Sequence, residues 1–282
     1  MHRASVVAIA IIMSGVGLAC AQTVPATTSA PATSPATAPA TAPSPEALAV
    51  LKMLEDRGAT LKDFHAKLRY EVEHVRDGTT EINRGEAAYI KDAGGAARVA
   101  ILLDDLVVGG AVAQKNLDHR FVFDGTWLIE KDPQKKIYRQ IQLVADGVKA
   151  NPFKLRGPLP MPIGQKVGDV LHDFAATFVP VAKTDPAGTA HLTLIPTREG
   201  VFNFKQLDLW VDQSEKVQLP IKLVQTGLDD NTTSILLRDM QPNTGDAEKS
   251  PIFDITPPPA GGGWVIDRRP IEPKPTTAPG TP

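Results

Sequence analysis

The stretch FVFDGTWLIEKDPQKKIYRQI, residues Phe121 to Ile141, decides how the rest of the chain is read. Phe121 and Phe123 alternate with smaller or polar neighbours, and Asp124-Gly125 then supplies a two-residue turn. Glycine adopts the positive φ such a turn demands, and aspartate tolerates it better than most residues. Trp127 and Ile129 resume the alternation, Asp132-Pro133 breaks it, and Ile137, Arg139 and Ile141 begin a third run. Period-two hydrophobicity across two tight turns predicts an antiparallel meander with one apolar face.

Working outward, the same period recurs on both sides. Upstream, Leu68, Tyr70 and Val72 alternate with Arg69, Glu71 and Glu73, Asp77-Gly78 marks a hairpin, and Arg98 to Val108 forms an apolar run. Downstream, Leu192 and Leu194, then Leu207, Leu209 and Val211, continue the pattern. Asp229-Asp230-Asn231 separates two further strands, and Ile252 to Thr256 reads as the last one. Helical spacing is confined to Leu48, Leu51 and Leu54 behind Ser44-Pro45, a short turn through Leu61 to Ala66, and Val167, Val170, Leu171 and Phe174. About ten antiparallel strands and two or three helices make an α+β protein. The expectation is one large curved sheet with the helices gathered on one face.

The flanks have a different composition. Met1 to Ala21 combines Arg3, an apolar core from Val6 to Met13 and a small-residue end at Ala19-Cys20-Ala21, a secretory signal peptide. Cleavage before Gln22 fits the small-x-small rule. The alternative is lipidation of Cys20, with Gly17 standing where a lipobox prefers leucine. Residues 22–45 are almost wholly Pro, Ala, Thr and Ser and read as a disordered linker, and residues 273–282 as a disordered tail. The domain is therefore residues 46–272, and export to the periplasm is expected, with a lipid anchor through Cys20 as the other outcome.

Charge and side-chain chemistry narrow the function. A net charge of −2 gives no basic surface for nucleic acid. No serine lies in a G-x-S-x-G elbow, and no HExxH motif or close histidine pair is present. Asp118 beside His119 sits on a strand whose neighbouring residues face opposite ways, which disfavours a metal pair. No enzyme, metal or cofactor is expected. What the sequence offers is apolar surface: Leu68, Tyr70, Val72, Ile101, Leu103, Phe121 and Phe123 on the first strands, Trp127 and Ile129 in the meander, and Leu207, Leu209 and Val211 later. Leu48, Leu51, Val170 and Phe174 on the short helices would add to it. Each alone is ordinary core. Together they predict a hydrophobic cavity that a lipid-like ligand completes, at about 25 cal/mol per Å² of apolar area buried.

The order of these features resembles that of the periplasmic carriers of outer-membrane lipoproteins, the LolA/LolB-like family. Phe64-His65-Ala66 entering the first strand, Asp77-Gly78, and Asp124-Gly125-Thr126-Trp127 followed by Lys131-Asp132-Pro133 are similar to the family's landmarks. So are Asn151-Pro152-Phe153, Leu192 to Pro196, and Phe253-Asp254-Ile255-Thr256-Pro257-Pro258 with Val265-Ile266. The resemblance implies an incomplete β-barrel with the helices as a lid over its concave apolar face, a cavity there for lipoprotein acyl chains, and partners that load and accept the cargo, an inner-membrane release complex or an outer-membrane acceptor. The family's Lys-Arg-Pro after its second strand, whose arginine holds the lid, is replaced here by Ile90-Lys91-Asp92-Ala93-Gly94-Gly95. Arg84 and Arg98 do not match it, so no latch is carried over. The competing reading is a tethered envelope sensor or scaffold module that binds a protein partner through the same fold.

Overall fold

The structure is a computed structural model, and it describes residues 42–148, 151–153, 161–259 and 261–271. The leader, Cys20, most of the Pro/Ala/Thr linker and the C-terminal tail predicted from the sequence lie outside the described residues. Among the described residues no helix is long and apolar enough to cross a membrane.

Helix α1 spans Pro45–Thr60, and the Ser44 hydroxyl accepts the Ala47 amide at its start. A capping serine followed by proline at the first turn satisfies one orphan amide and removes another. Thirteen strands follow: β1 Asp63–His74, β2 Thr79–Lys91, β3 Ala97–Val108, β4 Ala111–Gln114, β5 His119–Phe123, β6 Trp127–Asp132 and β7 Ile137–Gln142. The second helix, α2 Val167–Asp173, precedes β8 Phe174–Val179, β9 Thr189–Pro196, β10 Phe204–Asp212, β11 Pro220–Gly227, β12 Thr232–Pro242 and β13 Val265–Arg269. All thirteen strands lie in one sheet in the order β13-β7-β6-β5-β3-β2-β1-β12-β11-β10-β9-β8, with β4 paired to β3. Its two edge strands do not pair with each other, so the sheet stays open. This is α+β architecture, an incomplete barrel.

Three expectations change. Leu61 to Ala66 is not a helical turn, because β1 already begins at Asp63 and exchanges ladder hydrogen bonds with β2. Ile252 to Thr256 is not a strand: residues 247–253 form two short 3-10 turns, and the chain then runs extended. The last strand is β13, which pairs with β7 in parallel. A parallel partner needs a long crossover, and the segment from Ala247 to Ile255 supplies it by packing across the sheet. Ala247 and Ile252 there bury against Ala88, Ile90, Ala100 and Val122.

Register sorts the side chains onto two faces, because directly paired residues share a face and alternate along each strand. Phe64 lies opposite Tyr89, Tyr89 opposite Val99, and Val99 opposite Phe123. In the other direction Leu68 pairs with Leu237, Ile235 with Leu223, Leu223 with Leu209, and Leu209 with Leu192. These define the inner face. The outer face carries Ala88, Ala100 and Val122 under the C-terminal crossover.

Candidate functional site

Most of the predicted face is brought together. Leu68, Tyr70, Val72, Ile101, Leu103, Phe121, Phe123, Leu207, Leu209 and Val211 all fall on the inner face by register. Trp127 and Ile129 do not. Ile129 pairs with Val122, so both meander residues point to the outer face, where the Arg268 guanidinium sits over the Trp127 ring. Leu128 takes the inner position opposite Phe123. The reason is the parity of the hairpin: Phe123 pairs with Leu128, and a loop with an even number of residues moves the shared face from odd to even positions.

The helices are sorted in the same way. Ala47, Val50, Leu51 and Leu54 form the buried side of α1, whereas Leu48 is exposed. Leu48 lies on the wrong side of a 3.6-residue helix whose apolar stripe is set by Ala47, Val50 and Leu51. Val170 is the buried residue of α2. Phe174 belongs to β8 rather than to the lid helix, and its ring clusters with Phe202 and Phe204.

The cover over the inner face comprises α1 and the segments around Asn151–Phe153 and Met161–Gln165. Phe153 tilts against Tyr89 with ring centroids 4.8 Å apart and stacks on Phe64 at 6.2 Å. Met161 and Ile163 are fully buried beside it. At one point backbone meets backbone: a side chain at Gly58 would begin 2.1 Å from the Gly164 Cα, so neither chain has room for one there. Polar contacts made at α1 add to this packing. The Gly164 amide donates to Leu54 O (3.0 Å), the Val167 amide to Glu55 Oε2 (2.9 Å), Arg57 Nε to Val217 O (2.9 Å) and Lys91 Nζ to Gly58 O (2.9 Å).

That last contact was missed from the sequence. Lys91 ends β2 and reaches the closing carbonyls of α1, Gly58 O and, at 3.4 Å, Ala59 O. A cation there offsets the negative end of the helix dipole. It stands in the stretch where the family resemblance offered no latch, and the signal was a basic residue flanked by the hairpin end and two glycines.

The inner face is graded from end to end. Its middle is apolar, while a polar band closes the end away from Lys91. Within it His119 Nε2 and Glu130 Oε1 are 3.2 Å apart, Arg139 Nη1 donates to Glu130 Oε2 at 2.6 Å, and Asn83 and Asp132 are buried. Burial pushes the Glu130 carboxyl upward, but the His119 hydrogen bond and the charges of His119 and Arg139 outweigh it and hold the group below its ordinary value. Asp118 takes no part, pairing with Arg120 instead. Among the described residues no group of three or more His, Cys, Asp or Glu side chains could hold a metal ion.

At the opposite end is a cavity of about 240 Å³ lined by Gly58, Tyr89, Lys91, Asn151, Phe153 and Gly164, with Ala97 and Ile163 among the remaining walls. None of the sixteen residues singled out in the sequence lines it. Small-ligand pockets are typically about 300–1,000 Å³, so a long hydrocarbon chain does not fit this space while the cover is down.

No family model matches the sequence, and no curated protein matches it. Several solved structures are similar. The MucA/MucB complex of Pseudomonas aeruginosa aligns at 15% identity and a TM-score of 0.40 over 70% of this chain and 57% of that one, so this chain spans less than two thirds of it. An uncharacterized conserved protein of Thermus thermophilus aligns at 9% identity and a TM-score of 0.40, over 79% and 99% of the two chains. A LolA superfamily protein of Nitrosomonas europaea aligns at 11% identity and a TM-score of 0.27, over 69% and 92%. The solved structures similar to this chain thus include the family its sequence resembles, but at such low scores they carry no argument about what it binds.

Proposed function

We propose that this protein is a non-enzymatic binder of acyl chains, borne by lipoproteins or similar lipids, and that it works in the cell envelope after export. The observation that supports the reading is a continuous apolar inner face over which a separate helix and two loop segments are packed. From Leu192 on β9 to Phe123 on β5 the inner positions are dominated by aliphatic and aromatic side chains. Over them lie a four-turn helix and two short loop segments, tied down by contacts such as Arg57 to Val217 O and Lys91 to Gly58 O. Lifting α1 would expose the undersides of Val50, Leu51 and Leu54 together with the sheet. An acyl chain of about a dozen methylenes replacing those contacts would recover several kcal/mol, at about 0.8 kcal/mol per buried methylene. Closed, the protein buries its own surface; open, it would bury a guest. Loading and release would then depend on a partner that moves α1, an inner-membrane release complex or an outer-membrane acceptor.

The test is titration of the delipidated protein with a fluorescent long-chain fatty acyl probe, followed by competition with an acylated lipoprotein. Saturable binding displaced by the lipoprotein is the expected result. Absence of saturable binding contradicts the reading.

One observation favours a second reading, a tethered module that docks a protein partner. The edge strand β13 exposes Val265 (62%) and Ile266 (58%), and an exposed sheet edge is a template for strand addition. Co-purification with an envelope membrane protein, with no lipid retained, would select it.

A further inference from the structure

The cavity at the C-terminal end of α1 contains donors that the apolar face does not account for. Tyr89 and Lys91 are alternate residues on β2 and so project from the same face, into the same space. Tyr89 is only 4% exposed, and its hydroxyl has no hydrogen-bond partner among the described residues. The hydroxyl opens onto the cavity and is free to donate to an acceptor there. Burial alone pushes the Tyr89 hydroxyl up to about 12, which keeps it a donor at all ordinary pH. Lys91 gives two protons to the Gly58 and Ala59 carbonyls, leaving one for a further acceptor. It forms no ion pair among the described residues, and no aspartate or glutamate lines the cavity. The Phe153 ring, Ile163, Ala97 and Pro152 give it apolar walls, beside Asn151, whose amide is already engaged by the Ile163 carbonyl and the Phe153 amide.

We infer that this cavity is a binding site for a compact monocarboxylate with an apolar body, its carboxylate held by Lys91 Nζ and the Tyr89 hydroxyl and its body lying against Phe153 and Ile163. One cation and one neutral donor match a single negative charge, whereas a phosphate dianion would be left half neutralised. The volume of about 240 Å³ limits the ligand to a short chain or a single ring. The inference does not depend on the acyl-chain reading, because the site is complete with the cover closed.

Calorimetric titration of the purified protein with octanoate, and with octanol as its uncharged counterpart, tests the assignment. Octanoate is expected to bind saturably and octanol about ten-fold more weakly or worse; Tyr89→Phe and Lys91→Met should each lower octanoate affinity about ten-fold. Tyr89→Phe removes only a hydroxyl that has no protein partner among the described residues, so it keeps the fold even where Lys91→Met does not. Equal binding of octanoate and octanol, no binding of either, or octanoate affinity unchanged in Tyr89→Phe overturns the assignment. The long-chain probe separates the two sites. Long-chain binding retained with octanoate binding absent removes this site alone, and the reverse removes the acyl-chain reading alone.

Discussion

At the scale of single residues, what matters is which way each side chain points, and the polar band shows why. Glu130 was unremarkable in the sequence, yet register places it beside His119 and Arg139, with Asp132, Lys135 and Asp267 nearby. Its carboxyl titrates lower in the folded protein than in the unfolded chain. The stabilisation is therefore present above the unfolded value, near about pH 4.3, and lost as pH falls through the lower folded value. Glu130→Gln should cost on the order of 1 kcal/mol or less at neutral pH. Thermal melts of wild type and variant should converge as pH drops from about 6 to about 3. A gap that is constant across that range would refute the linkage. Alternation let Leu68 to Val72 and Leu207 to Val211 be placed correctly. It failed at Trp127 and Ile129 because the odd-numbered phase was carried unchanged across a hairpin whose even loop reverses it.

At the scale of elements, α1 was legible almost to its ends because serine, proline and a periodic leucine run mark it chemically. The crossover from Ala247 to Ile255 was not: its Ile252-Phe253 alternation mimics a strand, and only the sheet's need for an outer cover explains its path. Ile252 is 1% exposed within that outer core, so Ile252→Ala should cost about 2–5 kcal/mol in denaturant unfolding. A loss below roughly 0.5 kcal/mol, usual for surface positions, would mean that the crossover is not packed there. Gly58 tests the seam between α1 and the loop. Alanine favours a helix by up to about 1 kcal/mol over glycine, but here its methyl would meet the Gly164 backbone. Overpacking of this kind costs about 1–3 kcal/mol, so Gly58→Ala should lower the melting temperature, and a rise would show that the seam is loose.

For the whole molecule, the sheet is an open sequence of strands with one greasy side, a cover clipped over it, and two polar ends of different character. The architecture was legible because period-two patterning survives across about ten strands. The site was legible only in part: the apolar face follows from alternation, whereas the Tyr89–Lys91 cavity depends on where two distant segments, Asn151–Phe153 and Met161–Gly164, come to rest. No local pattern encodes that placement. If α1 is a lid, loosening it should favour the guest. Arg57→Ala removes the contacts to Val217 O and Lys216 O and should raise affinity for a long-chain probe several-fold, by about 0.5–1.5 kcal/mol of lost closed-state stability.

The most direct measurement is photo-crosslinking with a long-chain fatty acid carrying a diazirine near its methyl end, read out by peptide mass spectrometry. An acyl chain lying between sheet and cover predicts adducts on inner-face strands, at Leu68, Leu207 or Leu209, and on the underside of α1 at Leu51. Adducts confined to outer-face or edge residues such as Trp127 and Val265, or no adducts above background, would contradict it.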